Sequence, residues 1–103
     1  MLCAHTVRRL KPGTYEQFKD AFFPKADEAP SGWVRFRALR NLQNEDEVVT
    51  FGFFDGSVEA LEQSQGDADF DDRREAIEPY VDEVIANGIY EVTETVEPAE
   101  ATG

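Results

Sequence analysis

The order in which strand and helix patterns follow one another constrains this chain of 103 residues more than any other feature. Alternation of apolar and polar side chains predicts four strands, at Leu2–Arg9, Trp33–Leu42, Glu47–Phe54 and Ile89–Glu97. Helical spacing of apolar residues predicts helices at Thr14–Phe23 and within Ser57–Ala86. Two βαβ halves joined by a hairpin are typical of the α+β ferredoxin-like plan, βαββαβ, with a four-stranded antiparallel sheet.

That plan predicts a second copy of the chain. A sheet has two faces, and the two helical regions suffice to cover only one of them. We therefore expect a homodimer in which the uncovered faces meet. Residues 1–97 are expected to form a single domain, and the small polar segment at residues 98–103 is expected to be a disordered tail.

Local signals refine the helix ends. Pro12-Gly13 predicts a turn, and Thr14 follows it as an expected N-cap. Ser57 is the expected N-cap of the second helical region. A stripe from Ile77 to Ile85 looks like the clearest helix of the chain, with Pro79 kinking or restarting it and Asn87-Gly88 ending it.

Charge and composition exclude several classes of function. The net charge is −12, and eighteen of the twenty-two acidic residues lie in residues 41–103, so no nucleic-acid partner is expected. Apolar segments are too short for a membrane span, and no signal peptide is apparent, which favours a cytoplasmic protein without a membrane partner. Cys3 is the only cysteine, so neither an internal disulfide nor a zinc cluster is expected.

The acidic segment from Asp67 to Glu78 matches a calcium loop only in part. Asp67, Asp69, Asp71 and Glu78 have the spacing of a calcium loop, but Asp72 occupies the position that needs glycine. No metal site is therefore predicted. No Gly-rich phosphate loop or nucleophile elbow is present either, so no cofactor is expected.

Several segments resemble dimeric α/β-barrel proteins. They are the turn at residues 10–14 with the helix after it, Gly32-Trp33 opening the second strand, residues 57–61, and the stripe at Ile77–Ile85. Two branches fit, the antibiotic biosynthesis monooxygenase-like domains first and the stress-responsive barrel domains second. The resemblance implies a homodimer whose sheets pack into a barrel, with a pocket between helices and sheet in each subunit.

The first branch includes cofactor-independent enzymes that oxidise polycyclic phenols with O₂, and also haem degraders. The haem degraders carry Asn on the first strand, Trp on the third and His on the last helix. Here the first strand carries His5, Glu47–Phe54 has no Trp, and Asp71–Ala86 has no His. The resemblance therefore does not extend to haem degradation. The stress-responsive branch often carries a His on its first strand, as this chain does.

His5 is the candidate catalytic residue. We expect it, with Cys3 and Val7, on the helix-covered face of the sheet, with Arg8 pointing away. An imidazole there would accept a phenol proton. The alternative is a core or interface histidine bonded to a backbone group.

Aromatic side chains are the candidate substrate-binding residues, although such stripes are also typical of a plain core. They are Tyr15, Phe18, Phe22, Phe36, Phe51, Phe53 and Tyr80.

On the second strand, Val34, Phe36, Ala38 and Leu42 are expected in the core. Trp33, Arg35 and Arg37 are expected on the opposite face, where they would bind an anion in the barrel or meet acidic side chains. On the third strand, Gly52 predicts either a β-bulge or a close approach by backbone or ligand.

Two functions are consistent with these features. The first is a cofactor-independent, monooxygenase-like oxidoreductase that acts on a small aromatic or polyketide-like substrate. The second is a non-catalytic dimeric barrel protein that binds a small molecule or serves a stress response.

Overall fold

The computed structural model describes residues 1–23, 31–66 and 68–98, except for the side chains of residues 68–71 and 73. Its elements are β1 (Leu2–Leu10), α1 (Tyr15–Phe22), β2 (Trp33–Arg40), β3 (Glu47–Phe54), α2 (Val58–Gln65), α3 (Ala68–Ile77), a 3₁₀ turn (Glu78–Tyr80) and β4 (Val81–Glu91). The predicted tail from residue 99 onward, Pro24 and the predicted loop up to Pro30 lie outside the described residues.

The four strands form one antiparallel sheet in the order β2-β3-β1-β4. β1 and β3 are therefore central, and β2 and β4 are the edges. This is the predicted ferredoxin-like α+β arrangement, and the fold class is confirmed.

The helices cover one face of the sheet, and the core lies between them. One cluster joins Leu10 and Val48 of the sheet to Phe18 of α1 and Ile77 of α3. A second cluster joins Leu2 and Phe54 to Leu61 of α2. Burying a side chain of this size contributes about 1.5–3 kcal/mol, so these residues anchor the helices on the sheet.

The helix N-termini lie where the sequence predicts them. Gly13, with φ of 76°, makes the turn before α1. The hydroxyl of Thr14 donates to the carbonyl of Lys11 at 2.7 Å, so it ties the turn and does not cap the helix. Ser57 does cap α2, because its Oγ accepts the backbone N–H of Ala60 at 3.1 Å.

The prediction for the C-terminal third was wrong in one respect. The stripe that looked helical up to Ile85 belongs to α3 only as far as Ile77. β4 begins at Val81, where a helix was expected, and ends at Glu91, short of the predicted Glu97. Asn87-Gly88 lies inside this strand and caps no helix.

Two physical causes explain the error. Pro79 lacks a backbone N–H and occupies the 3₁₀ turn, so the helix cannot continue through it. β4 then has register shifts against β1, where Arg8 pairs with Val84 but Leu10 pairs with Val81. Because of these shifts, Val81 and Val84 point to the same face of β4 although they are three residues apart. A spacing of three between apolar residues is also typical of a helix, so the strand was taken for one.

β2 also differs from its prediction. The strand ends at Arg40, and Leu42 is 97% exposed where a core position was expected. A register shift between Trp33 and Arg35 turns the indole toward the helices and leaves Val34 57% exposed. Trp33 accordingly packs against Phe54, with ring centroids 5.1 Å apart, and does not share a face with Arg35 and Arg37.

Gly52 lies in a regular stretch of β3, so the expected bulge is absent there. A Cβ at this position would lie 2.6 Å from Cζ3 of Trp33 and 3.2 Å from Cε1 of Phe36. The close approach predicted as the alternative is therefore made by two aromatic rings.

We predict that Gly52→Ala lowers the free energy of unfolding by about 1–3 kcal/mol, because the methyl group overlaps an indole that the surrounding core holds in position. Urea denaturation of Gly52→Ala, of a control variant and of the parent protein measures the change in the free energy of unfolding. Gly66→Ala is the matched control. Gly66 has φ of −87° and its Cβ would meet nothing closer than 3.5 Å. Equal stability of the two variants would contradict the prediction.

Candidate functional site

A cavity of about 730 Å³ lies between the helices and the covered face of the sheet. Its volume is within the range of about 300–1,000 Å³ that is typical of small-molecule sites. All four strands contribute to its wall, and so do α1, α2 and α3. It is the pocket that the resemblance implied.

One wall of the cavity is aromatic. The rings of Trp33 and Phe36 stack with centroids 5.2 Å apart, and Phe22 meets Phe36 edge-on at 6.3 Å. The indole N–H of Trp33 donates to Oγ of Ser64 at 2.8 Å, which fixes the indole against α2. Because Gly52 carries no side chain, these rings approach the backbone of β3 closely. Such a wall suits a flat apolar molecule.

Arg8 brings a positive charge to the cavity. Its Nη1 donates to Oγ1 of Thr50 at 2.7 Å. Its Cζ lies 5.7 Å from the ring centroids of both Phe18 and Phe22. Burial, and secondarily the charge of Arg74, lowers the pKa of Arg8 to about 10, so the side chain remains a cation at neutral pH.

The orientation of β1 is therefore the reverse of the one predicted. Arg8 contacts the helix α1, and residues at even positions of β1 face the helices. The ring of His5 points to the other face. It lies 5.1 Å from the Phe51 ring and 5.6 Å from the Tyr90 ring. The expectation that His5 and Val7 face the helices was wrong.

His5 has two notable properties in this position. Its Nδ1 is buried and has no hydrogen-bond partner among the described residues. It lines a second cavity of about 280 Å³ with Cys3, Phe51 and Tyr90, and it also belongs to the wall of the larger cavity. The catalytic role of His5 stays a prediction.

The predicted substrate-binding residues divide into three groups. Phe22 and Phe36 line the large cavity. Behind it, Phe18 is fully buried, and Tyr15 and Tyr80 pack against the same core cluster. Phe51 and Phe53 stack at 6.2 Å on the face that the helices leave open. Their roles as substrate-binding residues stay predictions.

Sequence reasoning missed most of the polar wall. The residues concerned are Thr6, Arg8, Thr50, Gln65, Arg74, Glu78 and Asn87. The sequence did contain one signal of this polar wall, because polar side chains occupy strand positions that alternate with the open-face positions. Thr6, Arg8 and Thr50 fill inward positions that a solid core would give to apolar side chains.

Other site chemistries find little support in the described part of the chain. Burial raises the pKa of the Cys3 thiol, which disfavours a thiolate nucleophile. No cluster of three potential metal ligands occurs among the described side chains. Within residues 1–23, 31–66 and 68–98, no helix is both long enough and apolar enough to span a bilayer.

Solved structures share this architecture. The cofactor-independent oxygenase SnoaB from Streptomyces nogalater superposes with a TM-score of 0.74 at 17% identity, over 94% of this chain and 97% of that one. A proposed antibiotic biosynthesis monooxygenase from Deinococcus radiodurans gives 0.75 at 12% identity, over 95% and 98%. Rv0793 from Mycobacterium tuberculosis gives 0.69 at 13% identity, over 93% and 98%.

No protein-family model and no curated protein matches the chain. At these identities the structural likeness establishes the fold and leaves the activity to chemical argument. The likeness covers nearly the whole length of each protein. The chain thus has the fold of the antibiotic biosynthesis monooxygenase-like domains.

Proposed function

We propose that the protein is a cofactor-independent, monooxygenase-like oxidoreductase that binds a small aromatic or polyketide-like substrate in the large cavity. The observation that carries this proposal is the cavity of about 730 Å³ with its wall of Trp33, Phe36 and Phe22. The likeness to SnoaB, which is named a cofactor-independent oxygenase, supports the same reaction class.

The chemistry requires an electron-rich substrate. A phenol that loses its proton becomes a phenolate, which reduces O₂ more readily than the neutral phenol does. One oxygen atom then forms a new carbon–oxygen bond and the other leaves as water, so a phenol and one O₂ give one quinone and one H₂O. The protein contributes a base for the first proton and an apolar site that orients the ring.

His5 is the base in this proposal. Its Nδ1 makes no hydrogen bond within the described chain, so a lone pair is available in the appropriate tautomer. His5 belongs to the walls of both cavities, and its ring lies on the open face beside Phe51 and Tyr90.

We predict that His5→Ala slows oxygen uptake by about 10²–10⁴-fold, the usual contribution of a general base. The assay follows O₂ consumption and quinone formation with polycyclic phenols such as 1-naphthol and 1,8-dihydroxynaphthalene. Tyr90→Phe is the matched control, since it keeps the ring beside His5 and removes only a hydroxyl group. A folded His5→Ala protein with unchanged turnover would remove His5 from the mechanism.

A homodimer completes the proposal. The middle of the open face is largely apolar, and it is formed by Cys3, His5 and Val7 of β1, Val49, Phe51 and Phe53 of β3, Leu39 of β2, and Tyr90 of β4. Arg35 and Arg37 of the edge strand β2 and Arg9 near the end of β1 lie on the same face. The described helices pack on the other face, against Leu2, Leu10, Val48 and Phe54. Apolar area of this kind favours contact with a second copy, in line with the dimer that the resemblance implied.

We predict that the protein sediments at about twice the chain mass of 11.6 kDa at micromolar concentration. Tyr90→Glu on the open face should shift it to a monomer, because a carboxylate cannot be buried there without a partner. Val58→Glu on α2 is the control, with an original side chain that is similarly exposed (50% against 54% for Tyr90). A parent protein that sediments as a monomer would contradict the proposal.

One observation favours the second candidate function, a non-catalytic barrel protein that binds a small molecule. The ring contacts of His5 are with Phe51 and Tyr90 of the open face, whereas the aromatic wall of the large cavity is on the other side of the sheet. Binding of phenols without oxygen uptake would support this function over the oxidoreductase.

A further inference from the structure

We propose that the large cavity selects a ligand that carries a carboxylate, and that the guanidinium of Arg8 receives this group. The inference rests on the proposed function only in taking this cavity as the ligand site. It names a chemical class within the small aromatic or polyketide-like molecules and makes Arg8 the residue that determines specificity.

Arg8 occupies a position that is unusual for a charged residue. It points inward from a central strand, toward α1, at a place where a solid core would hold an apolar side chain. Among the described residues, no carboxylate lies within ion-pair distance of its guanidinium, although Arg9 beside it pairs with both Asp82 and Glu83. Buried charges in proteins are normally paired, so an unpaired cation facing a cavity indicates that a ligand supplies the anion.

Hydrogen-bonding capacity remains on the guanidinium of Arg8. A guanidinium carries five N–H donors in one plane, and the described structure uses one, from Nη1 to Oγ1 of Thr50. Its Cζ also lies 5.7 Å from the ring centroids of Phe18 and Phe22, and no other hydrogen bond joins the guanidinium to a described residue. Two parallel N–H donors match the two oxygens of a carboxylate, a geometry that a phenol or ketone oxygen cannot satisfy.

The local charge points to an anion as well. Arg74 also lines the cavity and is the charged neighbour that disfavours the protonated state of Arg8. Glu78 lines the cavity too, but it forms no ion pair with Arg8. The charge of Arg74 therefore adds to the positive potential at Arg8, which favours an anionic ligand there over a neutral one.

The remaining wall of the cavity suits a flat ring. Trp33 and Phe36 offer a stacked aromatic surface, and the absence of a side chain at Gly52 lets it lie close to β3. A ligand with a flat ring system on this wall and a carboxylate at Arg8 would satisfy both the apolar and the charged part of the cavity. An aromatic carboxylate is the simplest molecule of that kind.

The test is isothermal titration of the parent protein at neutral pH with 2-naphthoate and with 2-naphthalenemethanol, which replaces the carboxylate by a neutral group on the same ring. We expect naphthoate to bind about 10- to 100-fold more tightly, the usual effect of a hydrogen-bonded charge pair. Equal affinities, tighter binding of the alcohol, or no binding of either compound would overturn the inference.

Variants then assign the preference to Arg8. Arg8→Gln should abolish it, and Arg8→Lys should retain only part of it, because an ammonium group keeps the charge but loses the planar pair of donors. Arg9→Gln is the matched control on the opposite, exposed side of the same strand, and it should leave the preference unchanged. A folded Arg8→Gln protein with an unchanged preference for naphthoate would overturn the assignment of this preference to Arg8. If Arg8→Gln does not fold, Arg8→Lys is the deciding variant, and an unchanged preference in it would overturn the assignment.

The outcome separates this inference from the proposed oxidoreductase function. Oxygen uptake with neutral phenols, combined with no preference for naphthoate, would leave the oxidoreductase standing and remove carboxylate selection. A strong preference for naphthoate without any oxygen uptake would leave carboxylate selection standing and favour the non-catalytic binding protein.

Discussion

The pairing of β1 on both of its edges is the constraint on which the rest of this structure depends. β1 pairs with β3 from Leu2 to Arg9 without a register shift, and on its other edge it pairs with β4. Because side chains alternate along a strand, Leu10 and Arg8 lie on one face of β1 and His5 lies on the other. The packing of the helices against Leu2 and Leu10 makes the first of these the covered face. Which residues belong to the core, to the cavity wall and to the open face follows from which side chains of β1 face the helices.

The covered face is unusual in being only partly filled with apolar side chains. Leu10 with Val48 and Leu2 with Phe54 anchor α1 and α2 near the two ends of β1. Between those pairs, Thr6, Arg8 and Thr50 line an open cavity. A domain of this size has little stability to spare, so leaving the middle of its core hollow and partly charged is costly. Such a cost is typical of a binding site and is not expected of a purely structural core.

The sequence predicted the fold class well because its strongest signals are local. The alternation in β1 and β3, the turn before Thr14 and the cap at Ser57 each depend on a few neighbouring residues, and each appears in the structure. The prediction assigned the two faces of β1 the wrong way round, because alternation tells which residues share a face but not which face the helices cover. Arg8 was assigned to solvent by its charge, although its guanidinium in fact contacts α1. The start of β4 was missed because its register shifts give the spacing of a helix.

The alternation along β1 places the proposed base and the proposed ligand-binding cation on opposite faces of the sheet. His5 and Arg8 are three residues apart on β1, but their side chains point to opposite faces. In our proposals, the open face offers apolar rings to a second copy, while the covered face offers a cation and a stacked aromatic wall to a ligand. β1 is therefore the wall shared by the proposed subunit contact and the ligand cavity.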